Sequence, residues 1–396
     1  MCRRPPFALG KECLMKIKRI VSIIISCVMA ASLCACNNAE QNLLGEEKNK
    51  VYEFTDSFTT VQDMKAGWNL GNSLDCSGNF AKICPPEDVE SSWGNPVTTK
   101  ELIQAVKDGG FNTVRVPVTW KSHFDPNDYT IYENWLTRVT EVVDYVIEAD
   151  MYCIINVHHD TGSDGWLRAT TESWDNYSKQ YEAIWKQLAE HFKDYDNRLL
   201  FEGFNEILDE NNSWNTTDEE SYAALNSFNQ LFVDTVRATG GNNSERNLIV
   251  CTYACNCQEP NLQNFLIPKD SAENHIIMEN HIYDPGWFTA QAGKTPERDW
   301  GTDEDKAEID TLFERINKYA SGWNVPIIIG EFGAQDMSGN EENRAVYTEY
   351  FVSAAKKYGI TCIYWDDGGS MKIIDRNTYE WTCPNVRDAI INASKT

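Results

Sequence analysis

"LLFEGFNE", residues 199–206, is a short apolar run that ends in an amide and a carboxylate, Asn205 and Glu206. An apolar run of this length, preceded by an amphipathic segment at 176–193, predicts a buried strand that follows a helix. Charged side chains are rarely buried without a partner, so a glutamate at the end of such a strand requires an explanation beyond packing. The other apolar runs along the chain provide this explanation.

Eight such runs succeed one another after residue 50, separated by helix-like segments and without tandem repeats. The apolar runs are residues 67–72, 111–117, 151–159, 199–206, 247–253, 275–283, 325–333 and 360–367. The amphipathic segments between them are residues 98–108, 133–149, 176–193, 219–239, 304–320 and 341–357. Continuous apolar strands that alternate with helices predict a parallel sheet covered on both faces. Eight units in about 340 residues predict a single α/β domain, a (β/α)8 TIM barrel.

The first and fifth units are the least regular, and they leave one alternative fold open. The region after the first run reads as loop, and residues 254–274 are short and irregular for a helical crossover. A doubly wound open sheet would also alternate strands and helices, but no GxGxxG motif follows an early strand. The barrel is therefore the favoured architecture.

The composition indicates a folded, aromatic-rich and strongly acidic protein. Of 396 residues, 42% are hydrophobic, and 13 Trp, 17 Tyr and 16 Phe are present. Lys and Arg number 35 against 60 Asp and Glu, which gives a net charge of −25. Such a surface repels phosphate backbones, so no nucleic-acid partner is expected, whereas a neutral substrate is not opposed.

The N-terminus is predicted to be an export signal, residues 1–36, with Met15 as the true start. Basic residues at 16–19 precede an apolar run at 20–33 that is too short to span a bilayer. LCAC at 33–36 resembles the lipobox of bacterial lipoproteins, whose last residue, here Cys36, is acylated. An ordinary cleaved secretory signal is the alternative. We expect an exported monomer that contacts the membrane only through the lipid, with a polar tether at 37–55 and one domain at 56–396.

The cysteines predict neither a definite disulfide framework nor a metal site. Five of the 13 lie in residues 1–36, and the even number that remains permits bridges without revealing their pairing. Cys153, Cys251 and Cys362 lie inside apolar runs and are predicted to be small buried hydrophobes. Cys255 and Cys257 form a CNC motif, but no second Cys/His pair stands at zinc spacing. We therefore expect neither metal nor cofactor.

Polar or aromatic side chains stand near the carboxyl ends of six of the eight runs. They are Arg115, His158, His159, Asn205, Glu206, His281, Tyr283, Glu331, Trp365, Asp366 and Asp367. In a (β/α)8 barrel these strand ends converge on the active site. Each residue alone could have a structural role, as an ion pair or a satisfied core histidine, but their common placement predicts one functional cluster.

Two members of this cluster, Glu206 and Glu331, are carboxylates on the fourth and seventh runs, 125 residues apart. A pair of acids that flanks a glycosidic bond is the requirement of retaining hydrolysis, with one ionised as nucleophile and one protonated as acid. Arg115 beside Glu331 would favour the ionised form of that carboxylate. The cluster therefore predicts a glycoside hydrolase.

The motifs around these residues resemble glycoside hydrolase family 5 of clan A, chiefly its endo-β-1,4-glucanases. They are RVP (115–117), INVHHD (155–160), FEGFNE (201–206), HIY (281–283) and IIGEFG (328–333). GWNLGNSLD (67–75), WGNP (93–96), VPVTW (116–120) and YWDDG (364–368) resemble its branch of broad-specificity cellulases and xyloglucanases. The resemblance runs from about residue 62 to 390.

The resemblance implies roles for the two carboxylates and their neighbours. Glu206 in the NE motif would be the general acid/base and Glu331 in GEFG the nucleophile. Asn205 would bind the 2-hydroxyl of the sugar, and Arg115 and Tyr283 would hold Glu331.

It also implies that His281 lies near Glu206, that His158 contacts the sugar at the cleavage point and that Trp365 forms the floor beneath it. His159 is a supporting residue. NEIL stands where NEP is commoner, and WDDGG where WDNG is usual, which puts the preferred glycan in question more than the chemistry.

Tryptophans in or after strand ends support a carbohydrate substrate, because the wide indole face suits the apolar C–H face of a sugar. They are Trp68, Trp93, Trp120, Trp166, Trp287 and Trp365, of which Trp68, Trp93 and Trp365 are expected to bind substrate. For Trp166 and Trp287 a structural role is an equal alternative. Trp135, Trp185 and Trp323 lie in helix-like or pre-strand segments and are predicted to belong to the core.

Other functions remain open alongside β-glucan hydrolysis. A non-catalytic carbohydrate-binding lipoprotein would share the anchor and the aromatics but would not need both acids. A metal-dependent hydrolase could use His158, His159 and Asp160, although adjacent residues on a strand point in opposite directions and chelate poorly. Within the resembling family, mannanase and xylanase activities are the main competitors.

Overall fold

The structure is a computed structural model that describes residues 54–216, 218–289, 296, 298–337 and 339–395. The predicted signal, Cys36 and all but the end of the tether lie outside the described residues and stay predictions. Within the described ranges, no helix combines the length and the apolar character needed to cross a membrane.

Eight parallel strands form a closed barrel in the order β1 to β8, with β1 paired to β8. The strands are β1 Gly67–Leu70, β2 Thr113–Val116, β3 Tyr152–Asn156, β4 Leu199–Glu202, β5 Leu248–Cys251, β6 Ile276–Ile282, β7 Ile327–Phe332 and β8 Thr361–Asp366. Each of them lies inside one of the eight apolar runs. The predicted barrel is confirmed, and the doubly wound alternative is wrong.

Helices connect the strands and cover the outside of the barrel. They are α1 Ser57–Asp63, α2 Pro86–Glu90, α3 Lys100–Asp108, α4 Glu133–Glu148, α5 Thr171–His191, α6 Glu219–Ala238, α7 Glu259–Asn264, α8 Gly286–Thr289, α9 Asp303–Trp323, α10 Glu341–Lys356 and α11 Pro384–Lys395. Short 3-10 turns occupy Gly241–Ser244 and Tyr253–Cys255. The six predicted helices are present within a few residues of their expected ends. The short α7 explains why the fifth unit looked irregular in the sequence.

The lower part of the barrel interior is apolar. Inward-facing branched side chains of six strands pack together, and α1 closes the barrel from below with Val61 and Met64. The strand residues are Ile154, Leu200, Ile249, Ile277, Ile328 and Ile363. Thr361 fastens α1 to β8 through a hydrogen bond from its hydroxyl to the carbonyl of Val61 (2.7 Å). We call Val61, Met64 and the six strand residues the lower layer.

Above the lower layer the interior becomes polar and charged. Side chains that face one side of a strand are two residues apart, so β3, β4 and β6 each place a polar residue above an apolar residue of the lower layer. Asn156, Glu202 and Glu279 occupy these positions, Asn69 of β1 and Arg115 of β2 complete the set, and all five are fully buried. We call these five residues the upper layer; it forms the base of the candidate site.

Trp68 corrects one expectation, because it is fully buried. Its neighbour Asn69 faces the barrel interior, so alternation directs Trp68 outward, under the covering helices. The guanidinium of Arg376 lies 5.4 Å from its ring centroid. The prediction that Trp68 binds substrate is wrong. Trp120 is buried as well and donates its indole N–H to the carbonyl of Asn156 (2.9 Å).

The eight cysteines after residue 53 are all free thiols, and each except Cys84 is buried. Cys153, Cys251 and Cys362 are buried inside strands, as expected. Burial raises the pKa of the Cys153 thiol well above its usual range. These residues therefore act as small apolar side chains within the barrel wall.

Candidate active site

Arg115 on β2 is the centre of the upper layer. Its Nε and Nη2 bind the two oxygens of Glu202 at 2.6 and 2.8 Å. Nη1 donates to Glu331 (2.7 Å) and to Asn69 (3.0 Å), and Nη2 donates to Asn205 (3.0 Å). The five N–H donors of the guanidinium thus have five acceptors, which fixes its plane.

Glu331 on β7 is held from two sides. Arg115 binds its Oε1, and the hydroxyl of Tyr283 donates to its Oε2 at 2.9 Å. The register of β7 against both neighbouring strands shifts near this residue, an irregularity that re-aims side chains beside active sites. Burial, with the charges of Glu331 and Glu206, raises the pKa of Tyr283 well above its usual value, so the phenol keeps its proton. The predicted contacts of Glu331 with Arg115 and Tyr283 are confirmed.

Glu206 lies just beyond the end of β4, and its side chain is 21% exposed. Nδ1 of His281 lies 2.7 Å from its Oε1, as expected, and 3.6 Å from Oε2 of Glu331. One oxygen of Glu206 and one of Glu331 lie within 4.8 Å of each other. Carboxyl groups about 5–5.5 Å apart act as nucleophile and acid/base in retaining hydrolysis, whereas inversion needs roughly 6.5–9.5 Å.

His281 on β6 is surrounded by carboxylates. Burial alone would disfavour its charged form, but Glu331, Glu206 and Glu279 together raise the pKa of His281 well above its usual value. Its Nε2 lies 3.4 Å from Oε1 of Glu279. The imidazole is therefore a cation that donates Nδ1–H to Glu206.

His158, in contrast to His281, is uncharged. Burial, with the nearby His159, Arg115 and His281, lowers the pKa of His158 well below its usual value, so the ring is neutral. The amide nitrogen of Asn156 lies 3.0 Å from Nδ1 of His158 and 2.8 Å from Glu202, while its oxygen accepts from the Val118 amide. Since this network fixes the amide as a donor, Nδ1 accepts and Nε2 keeps the proton. His158 presents one N–H donor.

Trp365 on β8 lies directly above Ile363 of the lower layer and forms one wall of the site. Its ring is parallel to that of His158, with centroids 5.9 Å apart. A Cβ on Gly71 would lie 2.8 Å from the indole, so only glycine permits this approach. Trp93 is 43% exposed, and its ring centroid lies 5.3 Å from that of His159. The position of Trp365 fits the expectation that it faces the substrate, whereas for Trp93 that expectation stays a prediction.

An open cleft of about 580 Å³ lies at the ends of these strands. Glu206, Glu331, His158 and Trp365 line its centre, and a second group extends it past Glu206. This second group includes Trp214, Asn215, Asn256, Gln258 and Asp284. Trp214 is 55% exposed and borders a second cavity beside Glu206 as well. The sequence analysis missed it because it lies in a polar loop, not at a strand end.

Trp166 and Trp287 do not line this cleft. The indole N–H of Trp166 donates to Asp160 (2.7 Å), which fastens the loop that follows β3. Trp287 is partly exposed and packs under the guanidinium of Arg298, 4.4 Å from its ring centroid. Among the described contacts, both tryptophans have structural partners.

Two groups of side chains are close enough to be considered as metal ligands: Asp75 with His158 and His159, and Glu206 with His281 and Glu331. The ring centroids of His158 and His159 lie only 4.5 Å apart, so the expectation that they diverge is wrong. They follow the end of β3, where strand alternation no longer applies. The side chains of both groups already have protein partners: Nδ1 of His158 faces the amide of Asn156, Asp75 accepts from two backbone amides, and His281 lies between Glu206 and Glu279. We assign no metal to either group.

Glu202, Glu279, Asn69 and Asn156 of the upper layer are the residues that sequence reasoning missed. They lie in mid-strand within apolar runs, where the pattern alone predicts core packing. A usable signal exists, because Glu279 precedes His281 by two residues and therefore faces the same side of β6. Burial raises the pKa of Glu202 more than the ion pair with Arg115 lowers it, and Glu279 adds to the rise.

Comparison with known proteins identifies what this site is similar to. The family described as "Cellulase (glycosyl hydrolase family 5)" matches residues 78–370. Endoglucanase A of Ruminococcus albus is 39% identical over 345 residues, which cover 85% of this chain and 92% of that protein. Endoglucanase A of Clostridium longisporum is 36% identical over 345 residues, and this chain spans only 65% of its length.

Solved structures agree with the sequence relatives. A GH5-4 broad specificity endoglucanase from Ruminococcus champanellensis with bound cellotriose superposes with a TM-score of 0.81 at 38% identity, covering 86% of this chain and 99% of that one. A mutant family 5 enzyme from Prevotella bryantii B14, in complex with a xyloglucan tetradecasaccharide, also superposes with a TM-score of 0.81. Its identity is 36%, over 87% of this chain and all of that one.

Proposed function

The chain belongs to the cellulase family, glycosyl hydrolase family 5, and from this we infer that it is an endo-acting β-1,4-glucanase that retains anomeric configuration. The observation that carries the proposal is the pair Glu206 and Glu331, whose nearest oxygens lie within 4.8 Å in an open cleft. That separation leaves no room for an attacking water between the carboxylates. The open cleft suits attack within a long chain, since the polymer can pass through on both sides.

In the first step Glu331 attacks the anomeric carbon of the sugar while Glu206 protonates the leaving oxygen. Arg115 and Tyr283 hold the two oxygens of Glu331, so the nucleophile arrives oriented. The amide of Asn205 is fixed by Arg115 and would bind the 2-hydroxyl, a contact that strengthens as the oxocarbenium-like transition state forms. A covalent glycosyl-enzyme results, and the cut chain leaves.

In the second step Glu206, now ionised, takes a proton from water, and that water releases the sugar from Glu331. The cationic His281 stabilises the carboxylate form of Glu206 through its 2.7 Å contact. Nε2–H of His158 is available to a hydroxyl of the same sugar, and Trp365 supplies the stacking surface.

The substrate class follows from the relatives together with the aromatic walls of the cleft. The relatives are named endoglucanases, and the solved structures of relatives include complexes with cellotriose and with a xyloglucan oligosaccharide. We propose an unbranched or branched β-1,4-glucan as substrate. Carboxymethylcellulose, mixed-linkage β-glucan, xyloglucan, mannan and xylan, assayed side by side, test this choice; preferred cleavage of mannan or xylan would overturn it.

Two alanine variants test the assignment of the acids. Glu331→Ala should abolish turnover of every substrate. Glu206→Ala should spare the first step for a dinitrophenyl glycoside, whose leaving group needs no proton, and azide should rescue the second step. An inverted first product by NMR would contradict the mechanism, and an active Glu331→Ala would contradict the assignment.

The same variants separate the rival functions. A carbohydrate-binding lipoprotein would bind glucan equally well as wild type and as Glu331→Ala, and would release no reducing sugar in either form. A metal-dependent hydrolase would lose activity in EDTA, whereas we expect full activity there.

We also propose that the protein is exported and anchored as a monomer through a lipid on Cys36. The support is the sequence alone: the basic and apolar segments after Met15 and the LCAC motif. Acylation of a lipobox cysteine adds more than one chain, which gives firm membrane binding. Wild type should partition into the membrane fraction and Cys36→Ala should not; wild type found only in the culture supernatant would refute the anchor.

A further inference from the structure

Glu279 on β6 is a buried carboxylate that the reaction steps above do not use. It is fully buried in the upper layer, with Oε1 3.6 Å from Nε of Arg115 and 3.4 Å from Nε2 of His281. Its Oε2 has no hydrogen-bond partner among the described residues. Arg115 already gives all five N–H donors to other acceptors. The ring of His281 is therefore the one close proton donor left for Glu279 among the described side chains.

Gly330 on β7 leaves the space that the carboxylate of Glu279 occupies. A Cβ on Gly330 would collide with Oε1 of Glu279, so no other residue is compatible with the observed side-chain position. Gly330 directly precedes the nucleophile Glu331 in the chain. The glutamate at 279 and the glycine at 330 therefore form one arrangement beside the reacting groups.

The imidazole of His281 lies between two carboxylates, one at each ring nitrogen. Glu279 faces Nε2 of His281, and Glu206 faces Nδ1 at 2.7 Å. A carboxylate behind a catalytic histidine fixes where its protons lie. We propose that Glu279 is a positioning residue that keeps a proton on Nε2 of His281, so that His281 remains cationic and directs Nδ1–H at the acid/base Glu206.

This proposal rests on the proposed function, and it predicts how the charge of His281 affects the proton of Glu206 during the reaction. When Glu206 gives up its proton to the leaving oxygen, a cation already stands beside the new carboxylate. If His281 were neutral, a free ring nitrogen could instead take the proton from Glu206 before the substrate does. Glu279 prevents this by holding the imidazole in its charged form.

Other charged or titratable groups face the imidazole of His281 and its neighbours. They are Arg115 on β2, Glu202 on β4, Glu206 after β4, Glu331 on β7, and Tyr283 after β6, with the thiols of Cys251 and Cys255 on the β5 side. Among the carboxylates that the structure describes, Glu206 and Glu331 approach Nδ1, and only Glu279 approaches Nε2. Loss of the charge at 279 therefore acts on a proton that the other acids do not hold.

The test is Glu279→Gln, which keeps the size of the side chain and removes its charge. The protein has six histidines, so the ring nitrogens of His281 can be assigned and titrated by NMR with 15N-labelled histidine. The pKa of His281 should fall by about 1–3 units in this variant, since an opposite charge at such distances shifts a pKa by that amount. The alkaline limb of the kcat/KM profile should move to lower pH in parallel, because the cationic form of His281 is then lost at lower pH.

Two further variants keep the test decisive. Glu279→Asp retains the charge and should restore both the titration of His281 and the pH limb in part. Glu202→Gln makes the same chemical change in the same layer, on a glutamate that contacts Arg115 and not the imidazole, and it should lower the pKa of His281 much less.

An unchanged titration of His281 in folded Glu279→Gln would overturn the proposal, as would an equal fall in Glu202→Gln. A reduced rate with an unmoved pH limb would mean that Glu279 is only structural. If the proposed function failed instead, Glu331→Ala would stay active, and the NMR titration of His281 would still report on Glu279.

Discussion

The two layers inside the barrel are equally buried but differ in what they hold together. The lower layer consists of branched apolar side chains that need only shape and volume to fit. The upper layer contains Arg115 with the carboxylates of Glu202 and Glu279, and Glu331 of the active site lies within ion-pair reach of Arg115 as well. Leu200 and Glu202, or Ile277 and Glu279, show the change within one strand.

The difference separates stability from positioning. Burial of each lower-layer side chain contributes roughly 1.5–3 kcal/mol, and a change of one methyl group is tolerated at modest loss. A buried charge network gains little net stability, but removal of one partner leaves the others uncompensated. The lower layer therefore determines whether the barrel forms, and the upper layer determines where Glu331 and Glu206 point.

Arg115→Met should have the largest effect, because it removes the single cation at the centre of the upper layer. Loss of one partner from a buried ion network costs about 3–5 kcal/mol in the free energy of unfolding. Activity per folded molecule should fall by at least about 100-fold, since Glu331 and Asn205 lose their common support. Chemical denaturation and kcat/KM measured on the folded fraction check both effects.

Arg246→Met is the matched control for that change. Arg246 is also fully buried, but it binds backbone carbonyls such as that of Leu199 (2.6 Å), away from the carboxylates. It should lose stability and keep the activity of each folded molecule. Equal loss of activity in both variants would contradict the separation of roles.

Leu200→Ala tests the lower layer on its own. The cavity should reduce the free energy of unfolding by about 2–5 kcal/mol, the usual cost of a large-to-small change in a core. The kcat/KM of the folded protein should stay within twofold of wild type, because Glu202 above it keeps its contacts with Arg115. Leu266→Ala, at a side chain that is 64% exposed, should change stability by no more than about 0.5 kcal/mol.

Trp365→Ala examines the point where the barrel interior opens into the cleft. Ile363 below it belongs to the lower layer, whereas the indole stacks beside His158. We expect a loss of roughly 1–3 kcal/mol in transition-state stabilisation, by analogy with other ring-stacking contacts, and nearly unchanged thermal stability. A variant that unfolds but keeps normal activity per folded molecule would make Trp365 part of the core.

The smallest effect is on the pH dependence of the unfolding free energy. The slope of this dependence should change in a variant of His281 and stay the same in a variant of the lower layer. The folded pKa of His281 lies well above the ordinary 6.5 of an unfolded chain. Its contribution to stability is thus fully present below pH 6.5 and is lost as pH rises through the folded pKa. His281→Asn should flatten the alkaline decline of the unfolding free energy. Leu200→Ala should lower the whole curve in parallel, and a changed slope in that variant would show that the layers are coupled.

The comparison also explains which parts of the site the sequence could predict. Glu206 and Glu331 could be found because a carboxylate at a strand end interrupts an apolar pattern where a barrel opens. Glu202 and Glu279 interrupt the same pattern in mid-strand, where a covered strand is expected to be apolar on both faces. Periodicity alone cannot show that the buried space around them already contains a guanidinium or an imidazole.

The wrong predictions have the same origin, the direction of individual side chains. Trp68 lies in a strand that reaches the site, but the alternation of the strand directs it outward while Asn69 faces inward. His158 and His159 were expected to diverge, yet β3 ends at Asn156 and both rings lie together beyond it. The sequence shows which residues approach the cleft, whereas the end of each strand decides which way they face.

The contact between Glu279 and Gly330 also restricts how this enzyme can have diverged from its relatives. A Cβ at position 330 would collide with a carboxylate oxygen of Glu279, so any larger residue there excludes the observed position of that side chain. The glutamate can be lost while the glycine remains, whereas a larger residue at 330 displaces the glutamate. Lineages that descend from a common ancestor should therefore contain glutamate with glycine, or another residue with glycine, far more often than glutamate with a side chain at position 330. The order of mutations at these two positions, 51 residues apart, is thus imposed by one atom-to-atom distance.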